Sequence, residues 1–383
     1  MKLLNVFSKN NTSLYSHNMK GISFVAVVFS MCIMTSCNTS SDAVVDIVDL
    51  KSQAAVIDTM SSEMRTTCLV GNIAILREFQ GEQNYYARIF DDKNSKPELL
   101  FKMGHGHNEF SLLSFGISAD KSLLLLDETL GAKPVSLTVI SKTDSIENIK
   151  KQDNWRRYDL TKLPPFRYLA KCFCSLSDST ILVPGAPFDY LGSILSVIDF
   201  KNCKAYPLEF WPDDGMEIET MVKHAVYTDN SSVLGNGKGR YLYQCRDERF
   251  AFIFSIENNK VNVIKNLHAV YPDYKTEDGL NYKMKSRRPE SLMCAVNDKY
   301  VYILLTEFDK EGNKLDEWRS DLYGNRVEVY DWDGNKIKEI HLDHYGQRIM
   351  LSEDKIHLFT DEYYRGDEFK SDIWIYDLKG IVD

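Results

Sequence analysis

The sequence lacks several features that would place it in a common functional class. It contains no CxxC pair, which argues against a cysteine-bound structural zinc. It also has no G-x-S-x-G element and no nucleophile with a recognisable histidine partner. Cationic residues are in deficit, because 46 Lys and Arg stand against 55 Asp and Glu, giving a net charge of −9. This balance argues against a nucleic-acid partner, since proteins that bind a phosphate backbone usually carry a basic face.

Helical patterns and long apolar runs are also scarce. Beyond the first 36 residues, no helical spacing of apolar residues lasts more than two turns, and no second long apolar run exists. The 383 residues are 44% hydrophobic, 12% aromatic and 26% charged, with 21 Tyr and 19 Phe. Because aromatic residues favour strands, this is the composition of a globular, largely β protein.

The N-terminus has the pattern of an export signal. Residues 1–36 contain three lysines and no acidic residue, and an apolar run of about 13 residues follows Gly21. Such a run fits the core of a signal peptide and is too short to span a bilayer. The run ends in Met34-Thr-Ser-Cys37, which resembles the lipobox of bacterial lipoproteins. Met19 is an alternative start to Met1.

This resemblance implies that Cys37 is acylated and becomes the mature N-terminus. We therefore expect a lipoprotein signal peptide over 1–36, a polar tether over 37–42 and a folded region over 43–383. The expected location is the outer membrane, on its periplasmic face or at the cell surface, with the lipid as the only membrane contact. An uncleaved anchor or an ordinary cleaved signal peptide remains open.

The six cysteines after Cys37 give no disulfide framework. Most lie inside apolar runs, where cysteine behaves as a small buried apolar residue. Cys172 and Cys174 would lie about 7 Å apart on one face of a strand, too far for a relaxed bridge. We expect mostly reduced, buried thiols.

The rest of the chain repeats one pattern about every 50–65 residues. Each copy has a short apolar strand, a polar turn, a second apolar strand, a third strand that often ends in Asp and, after a tight turn, a fourth strand. The turns include Ser118–Ser122, Ser177–Thr180 and, in a looser form, Tyr227–Ser232. The third strands are 85–91, 136–140, 194–199, 251–256, 327–331 and 373–377.

Six copies with four strands each predict an all-β, six-bladed β-propeller with four-stranded blades. A single small sheet cannot bury both of its faces, but a ring of sheets can. Since the last copy holds only three strands, we expect the N-terminal strand 43–50 to complete it beside Ile373–Asp377, which would close the ring. A five- or seven-bladed ring and a long β-sandwich remain open.

One short element adds a family resemblance. Gly104, Gly106, Glu109 and Phe110 form a G-x-G-x-x-E-F stretch just before a predicted strand. This stretch resembles an element of six-bladed propellers of the NHL/TolB-like kind, and the whole chain is similar to TolB-like six-bladed propeller lipoproteins of Bacteroidetes-type bacteria. That resemblance implies a fold and a location. It implies no activity, because the α/β domain of TolB itself is missing.

The histidine pairs and the acidic loop of the sequence do not predict a metal site. His105 and His107 alternate within the glycine stretch, and His341 and His344 lie in a later loop, but neither pair has an evident third ligand. The acidic loop with Asp213, Asp214, Glu217 and Glu219 lacks the residue order of a calcium loop. No cofactor is predicted, and the glycine stretch does not fit a dinucleotide fingerprint because no helix pattern follows it.

Three loops carry the candidate ligand-binding residues. Arg287 and Arg288 lie in the one basic cluster and are able to bind an anionic group. Exposed aromatic residues often mark binding surfaces. The other four candidates lie in two loops of this kind: Trp155, Arg156, Tyr271 and Tyr274.

The favoured hypothesis is a lipid-anchored module that binds an unknown protein, peptide or glycan. An enzyme such as a polysaccharide lyase or a glycoside hydrolase is the alternative, although no catalytic residues are identifiable. A scaffold or sensor accessory to another envelope protein is a third possibility.

Overall fold

In the described residues of this computed structural model, six sheets of four or five strands form the folded region, and they are antiparallel except at one edge strand in each of two sheets. The structure describes residues 45–58, 64–78, 81–90, 92, 94–106, 108–129, 133–166, 172–190, 192–216, 220–229, 231–245, 249–276, 282–284, 291–306, 323–365 and 368–382. These residues belong to one compact unit, Val44–Asp383. The predicted signal peptide, tether and lipidation site at Cys37 lie outside the described residues.

We number the strands in chain order and call the sheets blades I to VI. Blade I contains β3 (Met64–Val70), β4 (Ile73–Glu78), β5 (Tyr85–Ile89), β6 (Glu98–Met103) and β7 (Glu109–Phe110). Blade II contains β8 (Leu113–Ile117), β9 (Leu123–Glu128), β10 (Pro134–Ile140) and β11 (Trp155–Asp159). Blade III contains β12 (Cys174–Ser175), β13 (Thr180–Pro184), β14 (Leu195–Asp199) and β15 (Lys204–Pro207).

Blades IV to VI follow the same order. Blade IV contains β16 (Ser231–Gly235), β17 (Tyr241–Cys245), β18 (Phe250–Glu257) and β19 (Lys260–Ala269). Blade V contains β22 (Ser291–Val296), β23 (Tyr300–Thr306), β24 (Gly324–Asp331) and β25 (Lys336–Gly346), with β1 (Asp46–Leu50) at its edge. Blade VI contains β26 (Arg348–Ser352), β27 (Lys355–Arg365), β28 (Glu368–Asp377) and β2 (Ala54–Asp58).

The connections between blades carry the remaining elements. The helices are α1 (Ile146–Lys150) in blade II and α2 (Thr220–Thr228) between blades III and IV, and a 3-10 turn covers Gln152–Asn154. A small hairpin of β20 (Tyr274–Thr276) and β21 (Tyr282–Met284) lies between blades IV and V.

The blades stand in a closed ring. The innermost strand of every blade contacts the innermost strand of the next, and β26 of blade VI returns to β3 of blade I. The six-bladed propeller is therefore confirmed, and the six third strands expected from the repeat all occupy the third position of a blade. The predicted turn at Tyr227–Ser232 is wrong, because these residues include the end of α2 and the start of β16.

Each blade buries its two faces against its two neighbours. The second strand of blade II illustrates this, since Leu123 and Leu125 pack in the cluster shared with blade I. Leu124 and Leu126 point the other way, into the cluster shared with blade III. A strand that is covered on both sides has a continuous apolar sequence rather than an alternating one. Full burial of each such side chain contributes about 1.5–3 kcal/mol to the free energy of unfolding.

The N-terminal segment closes the ring, but with different residues from those expected. Strand β2 pairs antiparallel with β28, Val56 facing Ile373, and supplies the missing fourth strand of blade VI. The segment expected to do this contains β1, which instead pairs parallel with β25 as a fifth strand of blade V. The correction has a simple cause: both segments are short apolar strands, and the pairing partner is decided by contacts nearly 300 residues away in the sequence.

No disulfide bond is assigned to the described cysteines. Cys174, Cys245 and Cys294 are buried, whereas Cys68, Cys172 and Cys203 are half-buried. Burial raises the pKa of Cys68 to about 12, with a smaller contribution from nearby Cys172. The Cys68 thiol is therefore a poor nucleophile.

Candidate functional site

The ring has two ends, which we call the first face and the second face. The innermost strand of each blade begins at the first face and ends at the second face. The connections between blades, and those between second and third strands, therefore meet at the first face. The short turns between first and second strands meet at the second face. This geometry decides which candidate residues can act together.

The glycine stretch forms a tight turn at the first face between blades I and II. Gly104 donates its N–H to the carbonyl of Phe110 at 2.9 Å, and Gly106 donates its N–H to Glu109 Oε2 at 2.8 Å. A Cβ on Gly104, whose φ is +154°, would lie 2.1 Å from Glu109 Oε2. Phe110 is buried against Phe101 and Trp155. The geometry gives the four motif residues a structural role in starting blade II.

Two buried carboxyl groups lie beside this turn, at the end of β9. Asp127 accepts hydrogen bonds from the N–H groups of Ser111 at 2.8 Å and Leu112 at 3.3 Å, and Arg157 lies 3.4 Å away. Glu128 accepts a hydrogen bond from the Ser114 hydroxyl at 3.2 Å. Burial raises the pKa of Glu128 to about 7.

A polar cluster built on Asp214 joins the two largest insertions of the first face. Lys223 of α2 forms an ion pair with Asp214 at 2.6 Å, and Tyr227 of the same helix donates its hydroxyl to Asp214 at 2.9 Å. Tyr274 of the hairpin donates to the same carboxylate at 3.2 Å. We call the described parts of the insertions held by these contacts, residues 208–216, 220–229, 274–276 and 282–284, the Asp214 cap. The Asp214 side chain is completely buried.

Burial would raise the pKa of Asp214 on its own, but hydrogen bonds outweigh it. The bonds come from Lys223, the N–H of Met216 and the hydroxyl of Tyr227, and together they hold the pKa below its ordinary value. Asp214 is thus an internal anchor of the cap. Both of its carboxylate oxygens accept these hydrogen bonds.

Several exposed aromatic side chains lie in connections that meet at the first face. Phe188 and Tyr190 lie in the connection between the second and third strands of blade III, and are 50% and 45% exposed. Tyr271 follows the last strand of blade IV and is 39% exposed. Val270, beside Tyr271, and Tyr345 of blade V are exposed at the same face. Sequence reasoning missed Phe188 and Tyr190, although their segment Pro184-Gly-Ala-Pro-Phe-Asp-Tyr190 combines turn residues with two aromatics.

The structure separates the candidate residues chosen from the sequence. Tyr271 lies at the first face, whereas Trp155 and Arg156 begin the fourth strand of blade II at the second face. Trp155 packs against Phe101, and its indole N–H donates to the carbonyl of Ile149 at 2.7 Å. Arg156 is exposed.

Tyr274 corrects the expectation of an exposed aromatic. It is fully buried and its hydroxyl is bound to Asp214, so its ring has no free face for stacking. Of the other candidates, Arg287, Arg288 and His107 lie outside the described residues. His344 stacks on Trp374, with ring centroids 3.4 Å apart.

A second buried charge cluster joins blades IV and V, and sequence patterns gave no signal for it. Glu328 lies 2.6 Å from His268 Nε2 of the neighbouring blade and accepts hydrogen bonds from Tyr330 at 2.7 Å and Lys336 at 2.9 Å. Burial alone would raise the pKa of Glu328, but the hydrogen bonds from these groups hold it well below its ordinary value. The cluster links the outer strand of one blade to the next.

The residues in the described ranges contain no helix with the length and apolarity to cross a bilayer. Within the same ranges, no three His, Cys, Asp or Glu side chains are grouped so that they could hold a metal ion.

Comparison with known proteins returns structural likeness alone. No family model matches the sequence, and no curated protein matches it. The chain is similar to the β-propeller domain of Cps50 (Swd1) from Myceliophteria thermophila, with 10% identity, a TM-score of 0.44, and coverage of 84% of this chain and 99% of that one. A Bacteroides fragilis protein gives 10% identity, a TM-score of 0.41, and coverage of 86% and 99%. At these values the likeness carries no conclusion about function.

Proposed function

We propose that this chain is a cell-envelope binding protein whose first face takes a protein or peptide ligand. The observation that carries the proposal is the group of exposed aromatic side chains on that face, above all Phe188, Tyr190 and Tyr271. Aromatic residues are enriched in the cores of interfaces and among the residues that contribute most to affinity.

Hydrogen bonds and ring packing within the chain hold the backbone around these aromatic residues. Phe188 donates its N–H to the carbonyl of Pro165 at 2.9 Å, which ties its loop to the neighbouring connection. The Tyr271 ring packs on Phe250 with centroids 4.8 Å apart, and the residue before it donates to the carbonyl of Arg249 at 3.1 Å. A surface fixed before binding loses less entropy when the ligand arrives.

The proposed lipid anchor precedes the first described strand. Strand β1 runs parallel to the fourth strand of blade V, so the described chain enters the ring at the second face. Eight residues, 38–45, separate Cys37 from β1, and eight residues span at most about 29 Å when fully extended.

Partner capture with matched variants tests the binding surface. A full chain carrying Phe188→Ser, Tyr190→Ser and Tyr271→Ser is compared with one carrying Ile117→Ser, Val263→Ser and Ile337→Ser, which are exposed apolar residues away from the first face. We expect wild type and the control to recover the same envelope protein by crosslinking and mass spectrometry, and the first variant to lose it. Equal recovery by both variants would exclude this surface.

The anchor needs its own experiment. Labelling of cells with a fatty acid should mark the wild-type chain, and Cys37→Ala should abolish the label. Protease treatment of intact cells then shows whether the chain faces outward. A label that persists in Cys37→Ala would refute acylation at this residue.

Glu128 is the observation that favours a glycan-cleaving enzyme as a second candidate. A buried carboxyl group with a pKa of about 7 has the property required of a general acid near neutral pH. Asp127 beside it is already engaged by two backbone N–H groups. If this function is correct, a polysaccharide panel will contain a substrate for the wild type that Glu128→Gln does not cleave.

A further inference from the structure

A small polar cavity opens at the second face, on the opposite side of the ring from the aromatic surface. Its volume is about 160 Å³. Three consecutive blades build it, each through the turn between its first and second strands. The side chains used below are Ser118, Asp120, Leu176, Ser177, Asp178 and Tyr241.

The turns that form the walls are internally fixed. In blade II the Ser118 hydroxyl donates to Asp120, and the N–H of Ser122 donates to the same oxygen at 3.2 Å. In blade III the hydroxyls of Ser177 and Thr180 lie 2.7 Å apart. The blade IV turn reaches blade II, because a Cβ on Gly237 would lie 2.8 Å from the Cβ of Ala119. Blade III fits between them because its innermost strand, β12, has only two residues.

Tyr241 is the unusual residue of this cavity. Its ring is only 7% exposed and packs against Phe254 with centroids 5.6 Å apart. Burial raises the pKa of its hydroxyl to about 12, so the group is protonated and can donate a hydrogen bond. No hydrogen bond to this hydroxyl is formed within the described part of the chain. The hydroxyl oxygen is not fully buried, so it is open to the cavity that Tyr241 lines, where a ligand can accept its hydrogen bond.

The remaining groups define the chemistry of a ligand that would fit this cavity. Asp178 is exposed and forms no hydrogen bond with the described residues, so its carboxylate can accept hydrogen bonds from two hydroxyls. Leu176 and the tyrosine ring add apolar wall. A cavity of about 150 Å³ accommodates one benzene ring, so a cavity of about 160 Å³ has room for one six-membered ring and not for an oligosaccharide.

We propose that this cavity binds a single hexose-sized polyhydroxylated ring, with Tyr241 donating to one ring hydroxyl and Asp178 accepting from others. Hydroxyl groups both donate and accept, so such a ligand satisfies the tyrosine and the carboxylate together. The source is either a free monosaccharide or the terminal residue of a glycan. The inference does not depend on the function proposed for the first face.

Saturation-transfer NMR with the purified full chain tests the inference. The probes are free glucose, galactose, mannose and N-acetylglucosamine, with their methyl glycosides as a second arm and methylammonium as a third. We expect at least one hexose to bind with a Kd on the order of 1 mM. Binding of the matching methyl glycoside identifies a glycan terminus as a ligand, whereas binding of the free sugar alone identifies a free monosaccharide.

Three variants locate the binding. Tyr241→Phe keeps the buried ring and removes the hydroxyl, and should weaken binding about threefold to tenfold, the loss expected for one hydrogen bond. Asp178→Ala should weaken it by at least as much. Tyr206→Phe, at an exposed tyrosine on the outer strand of blade III, should leave it unchanged.

The proposal is overturned if no sugar shows saturation transfer, if Tyr241→Phe binds as well as Tyr206→Phe, or if methylammonium binds more tightly than every sugar.

Discussion

The Asp214 cap gives the sharpest quantitative prediction. Asp214→Ala leaves the Lys223 ammonium, itself almost fully buried, without its carboxylate. Removing one partner of a buried ion pair typically costs about 3–5 kcal/mol, because the remaining charge is not solvated. The hydroxyls of Tyr227 and Tyr274 lose an acceptor as well. We therefore expect Asp214→Ala to destabilise the cap by at least about 3 kcal/mol.

Hydrogen exchange of the α2 amides measures this change where it occurs. A loss of about 3 kcal/mol corresponds to a roughly 100-fold loss of protection, at about 1.4 kcal/mol for each factor of ten. The double variant Asp214→Leu with Lys223→Met removes both charges, and should recover more than half of the lost protection, since apolar replacement of a buried pair is often neutral. Asp213→Ala, at the exposed neighbouring position, serves as the control and should change little.

The same cluster predicts an acid-sensitive cap. Because the folded state holds the pKa of Asp214 below its ordinary value, the stabilisation is present above the unfolded pKa of about 3.9. It is lost as the pH falls from there through the folded pKa. Asp214→Ala should lack this acid step. The reasoning is refuted if Asp214→Ala keeps wild-type protection, or if the double variant is no better than the single one.

Three further predictions concern the ring itself. Burial raises the pKa of Glu128 to about 7. The free energy of unfolding of the wild type should therefore fall as the pH rises from about 4.3 to about 7. Urea titrations at pH 5 and pH 8 should show that Glu128→Gln removes up to about 3 kcal/mol of this decrease. Val56→Pro removes a backbone N–H from the closing strand and should lower the urea midpoint more than Val48→Pro, in the extra strand of blade V; equal midpoints for the two variants would contradict the assigned closure. Gly104→Ala places a methyl group against the carboxylate of its own turn and should lower the thermal midpoint, while Gly192→Ala, with nothing within 4 Å of the added atom, should not.

The local repeat allowed the fold to be predicted, because each blade is built by short-range pairing. The third strands end in Asp or carry dense apolar residues, as in Ile194–Asp199 and Val327–Asp331, and all of them form as expected. The polar turn around Asp120 was also predictable from the sequence. These features depend on neighbours within about 20 residues, which is the range over which a sequence pattern is informative.

Features that depend on distant contacts were not predictable in the same way. The choice between β1 and β2 as the closing strand depends on partners in blades V and VI. The burial of Tyr274 follows from Asp214, 60 positions earlier, and the link between His268 and Glu328 also spans 60 positions. A polar or aromatic residue in a loop has the same sequence signature whether it faces solvent or an internal partner.

Site-specific photo-crosslinking tests the central claim, that the first face is the binding surface, most directly. A photoreactive phenylalanine analogue replaces Phe188 at the first face or Ile117 at the second face; both are large apolar residues, 50% and 41% exposed. Irradiation of cells that express the full chain should give a discrete crosslinked protein from position 188 and none from position 117. The same adduct from both positions, or an adduct from position 117 alone, would contradict the account.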